Sequence, residues 1–306
     1  MKGNYLKKGI FVILAMTGIF KNLISKIVYL QFIFISHTIM SLVVLITGGS
    51  SGIGKSIGEF LHNKGFVVYG TSRNPEKALN SVIPLVTLDV RNVDTIHKAV
   101  AKIIATSGRL DIVINNAGVG ITGPLEEIPM DEIKNNFETN FFGPIEVIKA
   151  VLPQMRLQKS GLIINVTSIA GYMGLPYRSI YSASKGALEL ITESLRMEVK
   201  LFGIQITNVA PGDFATNIAS GRFHAPLIEG SAYEVPYGNT LKTMDMHVDS
   251  GSNPKEMAEA IYQIIQNPNP KIHYKVGAFM QKFSVVLKRI LPDKVYEKML
   301  MNHYKL

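Results

Sequence analysis

From residue 41 onward, short apolar runs alternate with longer stretches whose apolar positions recur at helical spacing. The runs at 42–46, 66–69, 85–88, 112–114, 162–166, 204–209 and 272–276 are of strand length, and most lack the apolar/polar alternation of a sheet with one wet face. Between them, Ile53, Ile57, Phe60 and Leu61 share one helical face that Gly65 closes, and further helices are expected around 93–105, 131–151 and 180–201. Asn253, Pro254 and Glu256 stand as N-cap, first-turn proline and N3 glutamate of a helix running to Gln266. Buried strands alternating with helices predict an α/β fold: a single doubly wound domain, with a seven-stranded parallel sheet and helices on both faces.

Two terminal regions and one internal segment break the pattern. Residues 1–40 hold apolar runs at 9–20 and 27–35 set among lysines, each shorter than the roughly 20 residues that span a bilayer. They read as a membrane anchor, an interfacial segment, or an extension upstream of a start at Met40. The last is preferred because Met40 leads straight into the first strand. Residues 215–252 have weak periodicity with scattered Gly, Pro and Met, so an irregular insertion is expected there. The division expected is 1–40 as an extension, 41–277 as the domain with a substrate lid at 213–252, and 278–306 as a basic amphipathic tail.

Composition narrows the classes. At 306 residues, 47% hydrophobic and 18% charged, the chain can bury one large core and is not disordered. It contains no cysteine, which excludes disulfides, thiolate metal sites and a cysteine nucleophile, and fits a reducing compartment such as the cytoplasm. The net charge of +9 sits at the ends: residues 1–40 carry five Lys and no acid, and 271–306 carry eight bases and two acids. The middle is nearly neutral, which removes the electrostatic case for a nucleic-acid partner. Basic, apolar ends suit either peripheral membrane contact or solvated termini. The seven His show no ligand spacing, and His62 and His97 fall on predicted helices as ordinary polar positions, so no metal is expected.

The first chemical motif is Thr47-Gly48-Gly49-Ser50-Ser51-Gly52-Ile53-Gly54, between a strand and a helix. Gly48 permits a tight turn, Gly52 a close backbone approach to a pyrophosphate, and Gly54 close helix–strand packing. The second strand leads into Ser72 and Arg73, where an NAD site would carry an acid for the ribose 2′-hydroxyl; serine and arginine suit a 2′-phosphate, so NADP(H) is expected over NAD(H). Tyr181 and Lys185 lie one turn apart on a predicted helix, thirteen residues or more beyond Ser168 at a strand end. A neighbouring ammonium favours phenolate over phenol, which makes Tyr181 a competent acid for carbonyl reduction. Ser168 can donate to the same oxygen as charge develops.

The spacing Gly-x-x-x-Gly-x-Gly, followed in order by Asp89-Val90, Asn115-Asn116-Ala117-Gly118, Asn140, Ser168, Tyr181-x-x-x-Lys185, Pro211-Gly212 and Thr216, resembles the short-chain dehydrogenase/reductase family over most of the chain. The resemblance implies a Rossmann-type fold and a hydride transfer between nicotinamide and a carbonyl or secondary alcohol. It implies Asp89 and Val90 at the adenine, with Asn116, Ala117 and Gly118 beside the adenosine ribose. Lys185 would grip the nicotinamide ribose, and Asn140 would hold a water joining Lys185 to solvent. Pro211, Gly212 and Thr216 would flank the nicotinamide. Ser51 is not basic, so a second phosphate contact seen in some members is missing. A homodimer or homotetramer through the long helices is also implied.

The substrate is less defined. Phe214, Ile218, Phe223, Leu227, Ile228, Tyr233, Val235, Tyr237, Met244 and Met246 give the insertion an apolar, Met-bearing character, which points to a hydrophobic small-molecule carbonyl or alcohol. The tail 279–304 reads as a second lid, a membrane-surface helix or a packed core helix. Two other functions stay open: a 3-oxoacyl-carrier-protein reductase, and an idle nucleotide-binding sensor or scaffold. The retention of both Tyr181 and Lys185 argues against the second.

Overall fold

The computed structural model describes residues 41–78, 80–214, 221–249 and 251–306. Seven parallel strands form the main sheet: β1 (Val43–Ile46), β2 (Val67–Ser72), β3 (Leu85–Thr87), β4 (Ile112–Asn115), β6 (Gly161–Val166), β7 (Ile204–Pro211) and β9 (His273–Val276), in the spatial order β3-β2-β1-β4-β6-β7-β9. A small parallel pair, β5 (Ile121–Thr122) with β8 (Phe223–His224), stands apart from it. The order reverses between β1 and β4, so the loops leaving these two strands part and open a crevice at their carboxyl ends.

Helices cover both faces, as the unbroken apolar strands require. On one face α2 (Val93–Ser107), α4 (Gly143–Gln158) and α5 (Ser179–Glu198) meet the sheet through Ile96, Ile103, Val147, Val151 and Leu195, against Leu45, Val113 and Ile163. On the other, α1 (Gly52–Asn63) and α7 (Pro254–Gln266) bury Ile57, Leu61, Met257 and Ile261 against Val44, Ile46 and Ile114. Leu45, Ile46, Ile57, Leu61, Ile114 and Ile163 are fully buried, and each contributes about 1.5–3 kcal/mol relative to exposure. α7 starts as its sequence predicts, with Asn253 Oδ1 accepting the Lys255 N–H at 2.9 Å.

Three expectations are corrected. The helix expected over 131–151 is α3 (Met130–Phe137), a π turn at Glu138–Phe142, and then α4. Pro144 has no N–H to return to the Asn140 carbonyl four residues back, and the Gly143 N–H bonds Glu138 five back instead. The segment expected to be irregular contains α6 (Glu234–Asp249); Pro236 in its first turn is tolerated there, and its mixed faces hide the helical period. The tail is two helices, α8 (Phe279–Ile290) and α9 (Asp293–Tyr304), because the residue before Pro292 is driven out of helical geometry and Leu291 is extended.

Candidate active site

The glycine turn is built as its spacing demands. Gly48 and Gly52 take φ of +66° and +53°, where a side chain is strained. A Cβ on Gly54 would lie 2.3 Å from the Gly48 carbonyl oxygen and 2.4 Å from Asn116 Nδ2, so α1 approaches the turn this closely only with glycine there. Asn116 Nδ2 donates to the Thr47 carbonyl at 3.0 Å, and Thr47 Oγ1 accepts the N–H groups of Asn116 and Ala117, each at 3.0 Å. The ends of β1 and β4 are thereby stitched together across the crevice. Ser51, the N-cap of α1, makes no side-chain bond to the first turn, leaving the Gly52, Ile53 and Gly54 end of the helix without a side-chain cap. A side-chain-free turn beside uncapped helix N–H groups fits the pyrophosphate of a dinucleotide. Ser50 lies half-buried within the same turn.

Further along the crevice, Ser72 Oγ at the end of β2 accepts the Asn74 N–H at 3.2 Å, and Arg73 is exposed beside it. Burial raises the Asp89 carboxyl, but the Arg91 N–H and guanidinium, aided by the more distant Arg73, outweigh that and hold it below the ordinary carboxylate value. Val90 packs under the π turn, where a Cβ on Gly143 would meet Val90 Cβ at 2.8 Å.

Asn140 lies in the π turn and is fully buried. Its Oδ1 accepts the Val119 N–H at 2.9 Å, while Nδ2 donates to the Val119 carbonyl at 2.9 Å and to Ser184 Oγ at 3.3 Å. Gly118 runs directly past this group: a Cβ there would lie 3.2 Å from Asn140 Oδ1 and 3.3 Å from Lys185 Nζ. Asn140 and Lys185 therefore flank one backbone segment. Lys185 is 4% exposed and donates to the Val166 carbonyl at 3.0 Å. Burial pushes its ammonium below the ordinary lysine value, against the opposing pull of Tyr181 and Glu189.

Tyr181 and Ser168 both line one cavity of ≈ 550 Å³, together with Ile53, Pro211 and Gly212. Ser168 Oγ accepts the Ala170 N–H at 3.2 Å, which leaves its hydroxyl proton to donate. The structure thus gathers Ile53, Ser168, Tyr181, Pro211 and Gly212 on the cavity, with Lys185, Asn140 and Gly118 behind them. Ser72, Arg73, Asp89 and Val90 are outside the lining. Thr216 and Ile218 lie outside the described residues, as does the side chain of Met246.

Of the apolar positions expected to form the lid, Phe214 lines the cavity, whereas Tyr237 is buried elsewhere and Leu227, Ile228 and Val235 are exposed. The tail adds apolar lining of its own, through Met280 and Leu287 of α8 and Met299 and Leu300 of α9, alongside Ile169, Met173 and Leu175. α8 is clamped to the strand end by Gln281, whose Oε1 accepts the Asp213 N–H at 3.1 Å and whose Nε2 donates to Asp213 Oδ2 at 2.6 Å. A Cβ on Gly212 would lie 2.0 Å from Gln281 Oε1, so this clamp needs the glycine.

Sequence reasoning also missed Arg178 and Glu189. The Arg178 guanidinium lies 5.1 Å from the centre of the Tyr181 ring at the cavity wall. Glu189, 5% exposed, follows Lys185 by one turn on the same face of α5 and accepts from Thr167 Oγ1, Tyr172 OH and Asn208 Nδ2. Its signal was present: Tyr181, Lys185 and Glu189 recur every four residues, an ionisable stripe on a face otherwise turned inward. Gln281 had no such signal, because its partner is 68 residues away.

A crevice with a glycine turn on one side and a Ser, Tyr and Lys cluster on the other defines a dinucleotide-dependent oxidoreductase. The family model of short chain dehydrogenases matches residues 42–226. The chain belongs to the short-chain dehydrogenase/reductase family, whose members act on CH–OH groups with NAD⁺ or NADP⁺ as acceptor. It is 40% identical to a 3-ketodihydrosphingosine reductase of Bacteroides thetaiotaomicron over 86% of this chain and 97% of that one. It is 32% identical to retinol dehydrogenase 8 of Homo sapiens over 75% of this chain and 79% of that one. A short-chain dehydrogenase from Streptomyces avermitilis superposes with a TM-score of 0.75 at 30% identity, covering 87% of this chain and 97% of that one.

Proposed function

We propose that this oxidoreductase is an NADP(H)-dependent reductase of a long-chain, apolar ketone, with Tyr181 as proton donor. The observation that carries the reading is the cavity, lined by Ser168 and Tyr181 together with the apolar Met280, Leu287, Met299 and Leu300. The name of the Bacteroides relative supports a ketone on a long alkyl chain, of the 3-ketodihydrosphingosine type.

The bound dinucleotide supplies the hydride. Tyr181 donates a proton to the carbonyl oxygen, and Ser168 donates a hydrogen bond to the same oxygen as it becomes an alkoxide. Lys185, held by the Val166 carbonyl, favours the tyrosinate that results. Asn140 fixes the Val119 segment behind Lys185 and would hold a water joining Lys185 to solvent. Gly48, Ser50, Ser51, Gly52, Ile53 and Gly54 would hold the pyrophosphate; Ser72 and Arg73 the 2′-phosphate; Asp89, Val90, Asn116, Ala117 and Gly118 the adenosine; Pro211, Gly212 and Thr216 the nicotinamide. The outward apolar residues Leu157 of α4 and Leu190 and Met197 of α5 support self-association through these helices. Among the described residues no helix is long and apolar enough to cross a membrane.

The test is reduction of 3-ketodihydrosphingosine, dispersed in detergent, followed by loss of NADPH absorbance, with NADH and a carrier-protein-linked 3-oxoacyl substrate in parallel. Faster turnover of the long-chain ketone with NADPH is expected. Preference for the carrier-linked substrate, or for NADH, would overturn the reading.

A further inference from the structure

α8 has three edges that divide its work. Gln281, Ser284 and Leu287 face the cavity. Phe279, Phe283, Val286 and Ile290, at i, i+4, i+7 and i+11, form one continuous stripe that is exposed along its length, by 71, 37, 45 and 66%. The Phe279 and Phe283 rings stack along it at 5.7 Å. One flank of the stripe carries Met280 and Leu287, both in the cavity lining, and Met280 is 67% exposed, so the cavity rim opens onto the apolar stripe. The opposite flank carries Lys282 and Arg289, and α8 contains no acid. Lys288 is paired with Asp293 of α9 at 2.9 Å and is not counted.

We propose that this stripe docks on an anionic lipid surface and that the cavity takes its substrate directly from that surface. An aromatic and aliphatic stripe bordered by bases, on a helix too short to span, is the arrangement that lies in the headgroup plane, with the apolar residues down and the cations at the phosphates. The docking stands on the exposed stripe and its charge. The delivery rests on the apolar-ketone reading above.

The experiment uses the full chain, whose lack of cysteine makes a single introduced thiol the only labelling site. Val286→Cys, and Leu201→Cys as a control at a residue 93% exposed, would each carry an environment-sensitive fluorophore and be mixed with vesicles. With phosphatidylglycerol/phosphatidylcholine vesicles the label at 286 should shift to the blue, less so in high salt, while the label at 201 and pure phosphatidylcholine give no change. No shift at 286 overturns the docking. A label at 286 already in an apolar setting before vesicles are added also overturns it, because a second copy or residues 1–40 would then cover the stripe. For delivery, Phe279→Ser and Phe283→Ser together should slow turnover of vesicle-borne ketone by about tenfold or more, leaving a short water-soluble ketone unaffected. Equal rates on the vesicle-borne ketone overturn delivery. Failure of the wild-type chain on detergent-dispersed ketone overturns the substrate reading and leaves the vesicle response standing.

Discussion

His273 Nδ1 stands 2.7 Å from Glu189 Oε2, and the other ring nitrogen stands 3.0 Å from Glu193 Oε1. Only the imidazolium can donate to both carboxylates. The hydrogen bond to Glu189 is the largest influence on His273; it outweighs burial and raises the ring above its ordinary value. Glu189 in turn accepts from Thr167, the residue before Ser168, and from Tyr172, which follows it. One buried carboxylate thus ties β9 to the loop that carries Ser168, one turn beyond Lys185.

This pairing makes stability depend on pH with a definite sign. A histidine raised on folding contributes its full stabilisation below the unfolded value of about 6.5 and loses it as pH rises through the higher folded value. The melting temperature of the wild type should therefore fall across that window relative to Glu189→Gln. Thermal unfolding over a pH series measures it, and parallel curves for the two proteins would refute the linkage.

Tyr181→Phe keeps the ring that Arg178 covers and removes only the hydroxyl. Turnover should drop by about 10²–10⁴, the usual worth of a positioned general acid, with NADPH affinity unchanged. Steady-state rates and a fluorescence titration of NADPH distinguish this from a folding defect. Retained turnover would remove Tyr181 from the chemistry.

Arg73→Ala should weaken NADPH by about tenfold or more, the net value of a charge-assisted hydrogen bond, and leave NADH nearly unaffected. Dissociation constants for both dinucleotides decide it. An equal loss for both would show that Arg73 does not meet the 2′-phosphate.

Asn140→Ala would leave the part-buried Val119 N–H without its partner, while the Val119 carbonyl keeps the bond from Asn136 Nδ2 at 3.0 Å. A cost of about 1–3 kcal/mol is expected for a buried group left unpaired, seen as a lower denaturation midpoint together with a lower turnover rate. A normal midpoint would mean that the π turn holds Val119 without this side chain.

The strands and the glycine turn were legible from spacing, whereas Ser168 was joined to Tyr181 and Lys185 by the resemblance to the short-chain dehydrogenase/reductase pattern. Strand burial and helix faces depend on neighbours a few residues away, and the crevice follows from strand order. The break at Asn140 was half legible, since Pro144 is visible but its consequence depends on what the freed turn packs against. The helix over Glu234–Asp249 was not legible, because packing against the domain rather than an apolar stripe defines it.

Sequence by itself determined the sheet and the glycine turn, because each is written in contiguous residues with fixed backbone requirements. Tertiary structure alone decided that the tail and the insertion share the lining of the cavity. Gln281 and Asp213 come from distant parts of the chain, and their short contact, made possible by the missing Cβ of Gly212, holds α8 at the strand end, so that the C-terminal helices line the cavity beside Phe214 and Ser252 of the insertion. A contact of that kind depends on shape after folding, which no local pattern encodes.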